Sequence, residues 1–416
     1  MSTHHYKLYL QLVPEEQRIE VEGTLTFRVP TPGMQTAVFY LHRQLHLNSL
    51  TGTQLDTYEF DTVTASPVHF MPDSGALHLH FSCPLKQGEC ITLRFAYRGQ
   101  VTKWPEWSAN VISAAWTEMG LYWPWFPYNS DYGDFTFSVT VACAAAYHVH
   151  SYGTDLPQGT KQQFVWNQPT NDIVIVAAPN LKTHIAHRGQ YRIAVHYVTL
   201  AEATAALIGK DLAWLLTCYA NWFGEVENNK LSVIASPRER GGGYTRHGLI
   251  VLGGLQDQQY VGNREGYVRY LGHEAAHLWW WGAETTSWED WLNESFAEYS
   301  ALLAVRERFG PAAFEERLAV KREASQDSAP IWGLERSDIS TADQRQMIET
   351  VLYAKGPIVL HELATKIGQP RFLVMCQHLV AQEANSTAAL LALLGKLEGP
   401  EIKQWLVGRL KTGPLN

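Results

Sequence analysis

Hydrophobic residues alternate with polar ones along the first part of the chain. In "RIEVEGTLTFRV", Ile19, Val21, Leu25, Phe27 and Val29 fall on one parity. Ile91, Leu93, Phe95 and Tyr97 repeat the pattern, as do Phe135, Phe137, Val139 and Val141. A period of two predicts strands with one buried and one solvated face. The turn-forming stretches "PTPG", "MPDSG" and "LPQGT" separate such runs, which predicts an antiparallel sandwich or saddle-shaped sheet. Near residue 199 the period changes: Ile208, Leu212, Leu215, Tyr219 and Trp222 recur at helical spacing. A strand-like region from "KLSVIASP" to "GLIVLGG" interrupts the helices, which then continue to the C-terminus. The reading is an α+β multidomain chain with a β domain over 1–198 and a mainly helical domain over 199–416. A length of 416 residues agrees with more than one hydrophobic core. No internal repeat or low-complexity segment is seen.

Composition narrows the class. With 46% hydrophobic and 18% charged residues the chain is an ordinary globular one. A net charge of −8 without a long basic run argues against a nucleic-acid partner. No apolar run approaches the ~20 residues of a membrane span. The N-terminus "MSTHHYKLYLQLVPEEQ" enters a strand-like alternation without a secretory pattern. Five scattered cysteines form no CxxC and suit reduced thiols, so a cytoplasmic protein is expected.

The candidate chemistry lies in "LGHEAAHLWWWG". Residues i and i+4 of a helix share a face, so His273 and His277 can direct imidazole nitrogens at one ion with Glu274 beside them. Two neutral ligands with an adjacent carboxylate are the elements of a hydrolytic zinc site, which also needs a third protein ligand. The bland alternative is chance, since the chain holds 17 histidines and the pattern leaves two positions free. Downstream, "SWEDWLNESFAEYSALLAVRERFG" reads as a second helix with Glu294 and Glu298 four apart on one face. Glu294 is either the third ligand or a solvated carboxylate; its neighbours Trp291, Leu292 and Phe296 argue against full exposure.

The segment "HEAAHLWWWG…TTSWEDWLNESFAEY" resembles the signature of the gluzincin aminopeptidases, the alanyl aminopeptidase and leukotriene hydrolase family, and "WLNESFA" is its most specific part. The resemblance implies a thermolysin-like catalytic domain binding one Zn²⁺ through His273, His277 and Glu294, with Glu274 as general base. Two departures stand out. Sixteen residues, Leu278 to Asn293, separate the second histidine from the glutamate, fewer than the family usually has. Ser295 stands where the family usually has glycine.

In "ETVLYAKGPIVLHELATKIG", Tyr353, Lys355 and Gly356 match the family's Y-E-K-G segment, with Ala354 replacing the glutamate. The resemblance makes Tyr353 the donor to the oxyanion, a task that suits a neutral phenol. Pro357 fits the first turn of a helix and places Tyr353 at or just before its start. "ERGGGYTRHGLIVLGG" corresponds to the family's substrate-pairing edge strand, placing Gly242, Gly243, Tyr244, Thr245 and Arg246 on its five positions. The family's amine-binding glutamate is here Thr245, which cannot neutralise an ammonium, and Arg246 adds a positive charge. Glu118, in "WTEMGLYWPWFPYNSDYGDFTF", falls near the family's second amine-binding position; it is either that group or a loop charge. Trp104, Trp107, Trp116, Trp123 and Trp125, and Trp279 to Trp281, are expected mainly to pack, with one or two reaching the cleft. The pairs His78/His80 and His148/His150 share strand faces without a nearby third ligand and are expected to be solvated.

The expected function is zinc-dependent peptide hydrolysis by an aminopeptidase-like enzyme with altered recognition of the N-terminal amine. An endopeptidase and a non-catalytic peptide-binding module are the alternatives. The chain ends just after "IKQWLVGRLKTGP", where the family's catalytic domain finishes. That predicts a more open site, or one closed by a partner subunit in a homo-oligomer.

Overall fold

A computed structural model describes residues 4–413 except 69, 105–109, 159–160, 227–228, 240–241, 247 and 337–340. Trp107 therefore lies outside the described residues. The alternating segments form a seven-stranded sheet with His5–Val13, Arg18–Arg28, Cys90–Gln100 and Phe135–Ala142 among its strands. Its register sets Leu25 against Leu93 and Phe27 against Ile91, so the apolar positions line one face. On that face sits a three-stranded sheet of Met34–His42, Leu55–Asp61 and Ser74–Leu85, and Phe39, Leu77 and Leu79 share the core. The arrangement is not wholly antiparallel. His5–Val13 pairs parallel with Phe135–Ala142, strands far enough apart in sequence to need no tight turn.

A four-stranded sheet, which includes Thr117–Met119 and Ile175–Ala178, leads to a five-stranded one. The latter runs in the order Lys182–Arg188, Tyr191–Tyr197, Lys230–Ala235, Leu249–Leu252, Gly243–Arg246. Its first two strands precede residue 198 and pair with each other, and the second, Tyr191–Tyr197, also pairs with Lys230–Ala235 beyond it: Ile193 lies opposite Leu231 and Val195 opposite Val233. The change of period near residue 199 marks the first helix, while sheet pairing joins 182–197 to the helical region. The sheet is two-faced, as alternation requires. Leu231, Val233 and Ala235 enter the core beneath the helices, while Ile234, Tyr244 and Val251 enter the core of the β region.

Ten helices are described: α1 Glu202–Phe223, α2 Asp257–Gly262, α3 Arg264–Ala276, α4 Trp291–Phe309, α5 Pro311–Ala324, α6 Ala342–Glu349, α7 Gly356–Ile367, α8 Gln369–Ala381, α9 Thr387–Glu398 and α10 Pro400–Lys411. Helix α1 buries Ile208, Leu212, Leu215 and Tyr219 against the sheet and against α3. Helices α3 and α4 pack antiparallel, since one end of the pair joins Ala276 to Trp291 through a short connection and the other brings Arg264 and Arg308 to one carboxylate. Among the described residues no helix is long and apolar enough to cross a membrane.

Candidate metal centre

Helix α3 ends at Ala276, so His273 sits in its last turn and His277 caps it in helical conformation. The chain then folds back through two buried tryptophans. The Trp279 indole donates to Gly224 O (2.8 Å) and that of Trp280 to Ser300 Oγ (3.1 Å). The shortened connection closes on Asn293, whose amide donates to Ala283 O and accepts from Ala283 N, both at 3.0 Å. Helix α4 thereby starts with Glu294 in its first turn, facing the two histidines.

His273 Nε2 lies 3.3 Å from His277 Nε2 and 3.3 Å from Glu294 Oε2, and His277 Nε2 lies 3.6 Å from Glu294 Oε2. Ligands about 2.0–2.1 Å from a tetrahedral zinc stand about 3.3–3.4 Å from one another. The three atoms are thus spaced as a tetrahedral cation would space them, and two imidazoles with one carboxylate are a donor set zinc accepts. The far side of each ring fixes its role. His277 Nδ1 lies 2.9 Å from Trp280 O, and His273 Nδ1 lies 3.0 Å from Glu298 Oε2. With a metal bound, each ring would be neutral, carry its proton on Nδ1 and turn a lone pair on Nε2 to the ion. Glu298 is 2% exposed. Burial works against its charge, yet Lys321, Arg269 and His273 hold it well below the usual carboxylate range. Lys321 Nζ lies 2.6 Å from Glu298 Oε1 and Arg269 NH1 2.7 Å. Burial likewise opposes the charge on Glu294, and His277, His273 and Tyr353 outweigh it and lower its pKa.

Tyr353 sits in a π-helical segment, Thr350–Lys355, between α6 and α7, with Pro357 in the first turn of α7. Such turns free backbone groups from the regular ladder and often occur at functional sites. Two side chains hold this one. Lys321 donates to Tyr353 O at 2.6 Å, and Ser295 Oγ donates to Leu352 O at 2.7 Å. The serine in place of the usual glycine thus bonds α4 to the tyrosine segment. Gly356 is what it packs on, since a Cβ there would lie 1.9 Å from Ser295 Oγ. The residue Tyr353 is 36% exposed, and its ring lies 5.4 Å from that of His273; burial of the hydroxyl and the nearby Glu294 carboxylate push the phenol well above its ordinary pKa, so it stays protonated. Lys355 points the other way, fully buried, donating to Ala329 O and Thr412 O at 2.7 Å and to Gly413 O.

Glu274 faces the edge strand Gly243–Arg246. A Cβ on Gly243 would lie 2.8 Å from Glu274 Oε1, so only glycine admits the carboxylate at this distance. Thr245 Oγ1 lies 3.0 Å from Glu274 Oε2 and 2.8 Å from Glu274 O. Thr245 is thus a neighbour of the expected base, a contact the sequence does not announce. Gly242 O accepts from Arg238 NH2 at 2.6 Å. Glu118 is fully buried and accepts from Tyr244 OH (3.1 Å) and Trp116 Nε1 (3.2 Å). Burial raises its pKa, with Arg238 and these donors opposing. Arg246, expected to bring positive charge to the cleft, instead pairs with the buried Asp172 at 2.9 Å and lies against Tyr122 and Tyr244. Edge strand and β region are thus bonded through Tyr244–Glu118 and Arg246–Asp172. Trp116, Trp123, Trp125, Trp279 and Trp280 are buried, and Trp281 is 46% exposed.

An HExxH helix followed by a glutamate from the next helix is the arrangement that the resemblance to the gluzincins implies. Residues 247–406 match the Peptidase family M1 domain, and they contain the "HEAAH…WLNESFA" and Tyr353 segments of the gluzincin resemblance. Over 159 residues the chain is 30% identical to aminopeptidase N of Streptomyces lividans, covering 35% of this chain and 18% of that one. Over 179 residues it is 26% identical to endoplasmic reticulum aminopeptidase 2 of Bos taurus, covering 38% and 18%. The chain thus matches under a fifth of the length of either relative. In fold it is similar to an M1 zinc metallopeptidase from Deinococcus radiodurans, with a TM-score of 0.73 over 100% of this chain and 94% of that one at 20% identity.

Proposed function

We propose that the chain is a zinc-dependent metallopeptidase that hydrolyses peptide bonds. The observation that carries this reading is the triangle of His273 Nε2, His277 Nε2 and Glu294 Oε2, with Glu274 in the same helix turn and the Tyr353 ring 5.4 Å from that of His273. Zinc bound there supplies a Lewis acid and lowers the pKa of water to about 7. Glu274 takes the proton of the attacking water and returns it to the leaving amine. Tyr353, held protonated, donates to the oxygen on which charge develops. A peptide backbone pairs with Gly243–Arg246, the terminal strand of its sheet, whose glycine lets it approach Glu274. Five free cysteines support a cytoplasmic setting.

A second reading concerns which end of the peptide is read, and Thr245 with Glu118 favours it. Thr245 carries no charge, and Glu118 is already bonded by Tyr244 and Trp116. An enzyme lacking a free carboxylate for the substrate amine tolerates N-blocked and internal segments. Two measurements test the readings. Metal analysis with chelator-sensitive cleavage of a peptide library tests the hydrolase, and a chain that retains zinc and cuts nothing overturns it. Equal cleavage of N-acetylated and free-amine peptides supports the second reading, whereas a preference for the free amine of roughly tenfold or more, ~1.4 kcal/mol, removes it.

A further inference from the structure

Away from the metal centre, a surface cavity of about 600 Å³ lies where α1, the end of α4, the start of α3 and the strand Lys182–Arg188 meet. Arg188, Lys210, Arg264 and Arg308 line it, with Trp214 and Glu307. Behind it the buried Asp211 accepts from Arg264 Nε (3.1 Å) and NH2 (2.6 Å), Arg308 NH2 (2.7 Å) and Tyr260 OH (2.9 Å). Arg264 NH2 and Arg308 NH2 both bond the same oxygen, Oδ1, so two guanidiniums share one negative charge. Arg308 is further fixed over the Trp214 ring at 4.6 Å.

The arithmetic of charge and of donors points the same way. Four cations line the cavity against Glu307 and the Asp211 behind it, leaving two positive charges unbalanced, in a chain of net charge −8. A guanidinium carries five N–H groups. Asp211 uses two of Arg264 and one of Arg308, so most of their donors remain for the cavity. Arg188 and Lys210 are exposed and make no ion pair among the described residues. Forked donors on partly buried arginines match the oxygens of phosphate in charge and geometry. The volume falls within the range of about 300–1,000 Å³ seen for small-molecule sites.

We propose that this cavity binds a dianionic phosphate group, free or carried on a small organic ester, at a site separate from the metal centre. Such a ligand neutralises the two guanidiniums that meet at Asp211 and braces the first turn of α3 against the last turn of α4.

The test is calorimetric titration of the intact zinc-loaded protein with inorganic phosphate and, separately, glucose 6-phosphate, with sodium chloride holding ionic strength constant. Saturable binding is expected. The exposed pair R188A/K210A weakens it by roughly tenfold or more, with hydrolysis and ligand-free Tm unchanged. The charge-reversed K210E removes it. Hydrogen exchange slows on binding at the start of α3 and the end of α4. An ester bound more tightly than phosphate identifies an organic ligand, and equal affinity identifies the free ion; both uphold the site. No saturable binding up to about 20 mM ligand, or binding undiminished in R188A/K210A (an adventitious ion only), overturns it.

Discussion

The antiparallel pair α3 and α4 is fastened at its two ends by opposite charge designs. At one end, imidazoles and carboxylates converge: His273, His277 and Glu294 face one another, and Glu298 stands behind His273 with Arg269 and Lys321. At the other, Arg264 and Arg308 converge on Asp211 of α1. The first end keeps lone pairs turned inward for a cation. The second satisfies its one buried carboxylate entirely from within the fold and turns its surplus cations outward. Placing a reactive cluster and a structural lock at opposite ends of one helix pair lets the sheet and α1 hold the geometry while the metal end stays free for chemistry. If this division holds, substitutions at the two ends will separate cleanly into losses of activity or metal affinity and losses of stability.

The largest expected effect is on turnover. Glu274→Gln keeps the shape and the contact with Thr245 but removes the proposed base, and kcat is expected to fall by roughly 10²–10⁴-fold. Zinc content, measured by metal analysis of the purified variant, stays at the wild-type level. A variant of near-normal rate would remove Glu274 from the mechanism.

Next comes the lock. Asp211→Asn leaves two guanidiniums without their shared charge. Breaking a buried pair costs about 3–5 kcal/mol, and the partial exposure of Arg264 and Arg308 points to the lower end, ~3 kcal/mol. Denaturant unfolding reads the loss, while zinc affinity of the folded protein, measured by chelator competition, changes by less than about twofold. Glu298→Gln reverses that pattern. It weakens the group that orients His273, so zinc affinity falls by roughly 10–100-fold. If Asp211→Asn weakens zinc as much as Glu298→Gln, the two ends are not independent and the comparison fails.

The two ends also differ in how far they can be read from the chain. His273, Glu274, His277 and Glu294 stand out because ligand spacing is local: four residues make one helical face, and "WLNE" follows within one connection. The alternating strands were equally legible, since burial on one face writes itself into parity. Asp211 was silent. It sits in α1, 53 residues before Arg264 and 97 before Arg308, and only tertiary packing joins them. Glu118 was half legible: position suggested a cleft, but its burial depends on Tyr244, from a strand 126 residues away. The strands Lys182–Arg188 and Tyr191–Tyr197 carry no mark of their sheet, because parity does not name a partner. Thr245 showed which charge was lost and not which contact it makes.

The smallest effect tests the finest detail at the metal end. Ser295 Oγ bonds Leu352 O in the π-helical segment that carries Tyr353. Ser295→Ala removes that bond, at about 1 kcal/mol of stability. If the bond also positions the phenol, kcat falls by roughly two- to threefold with KM unchanged, an effect a purely structural bond would not produce. The same packing predicts a dependence between two residues. Gly356→Ala places a methyl 1.9 Å from Ser295 Oγ and 2.5 Å from its Cβ, so alone it is disruptive, by about 1–3 kcal/mol. In the background of Ser295→Gly both obstructing atoms are gone, and the cost of Gly356→Ala falls well below its value in the wild type, as a double-mutant cycle by chemical denaturation would read. Additive costs would mean that α4 and the tyrosine segment shift apart freely, and Ser295 would then have no part in holding Tyr353 over the metal site.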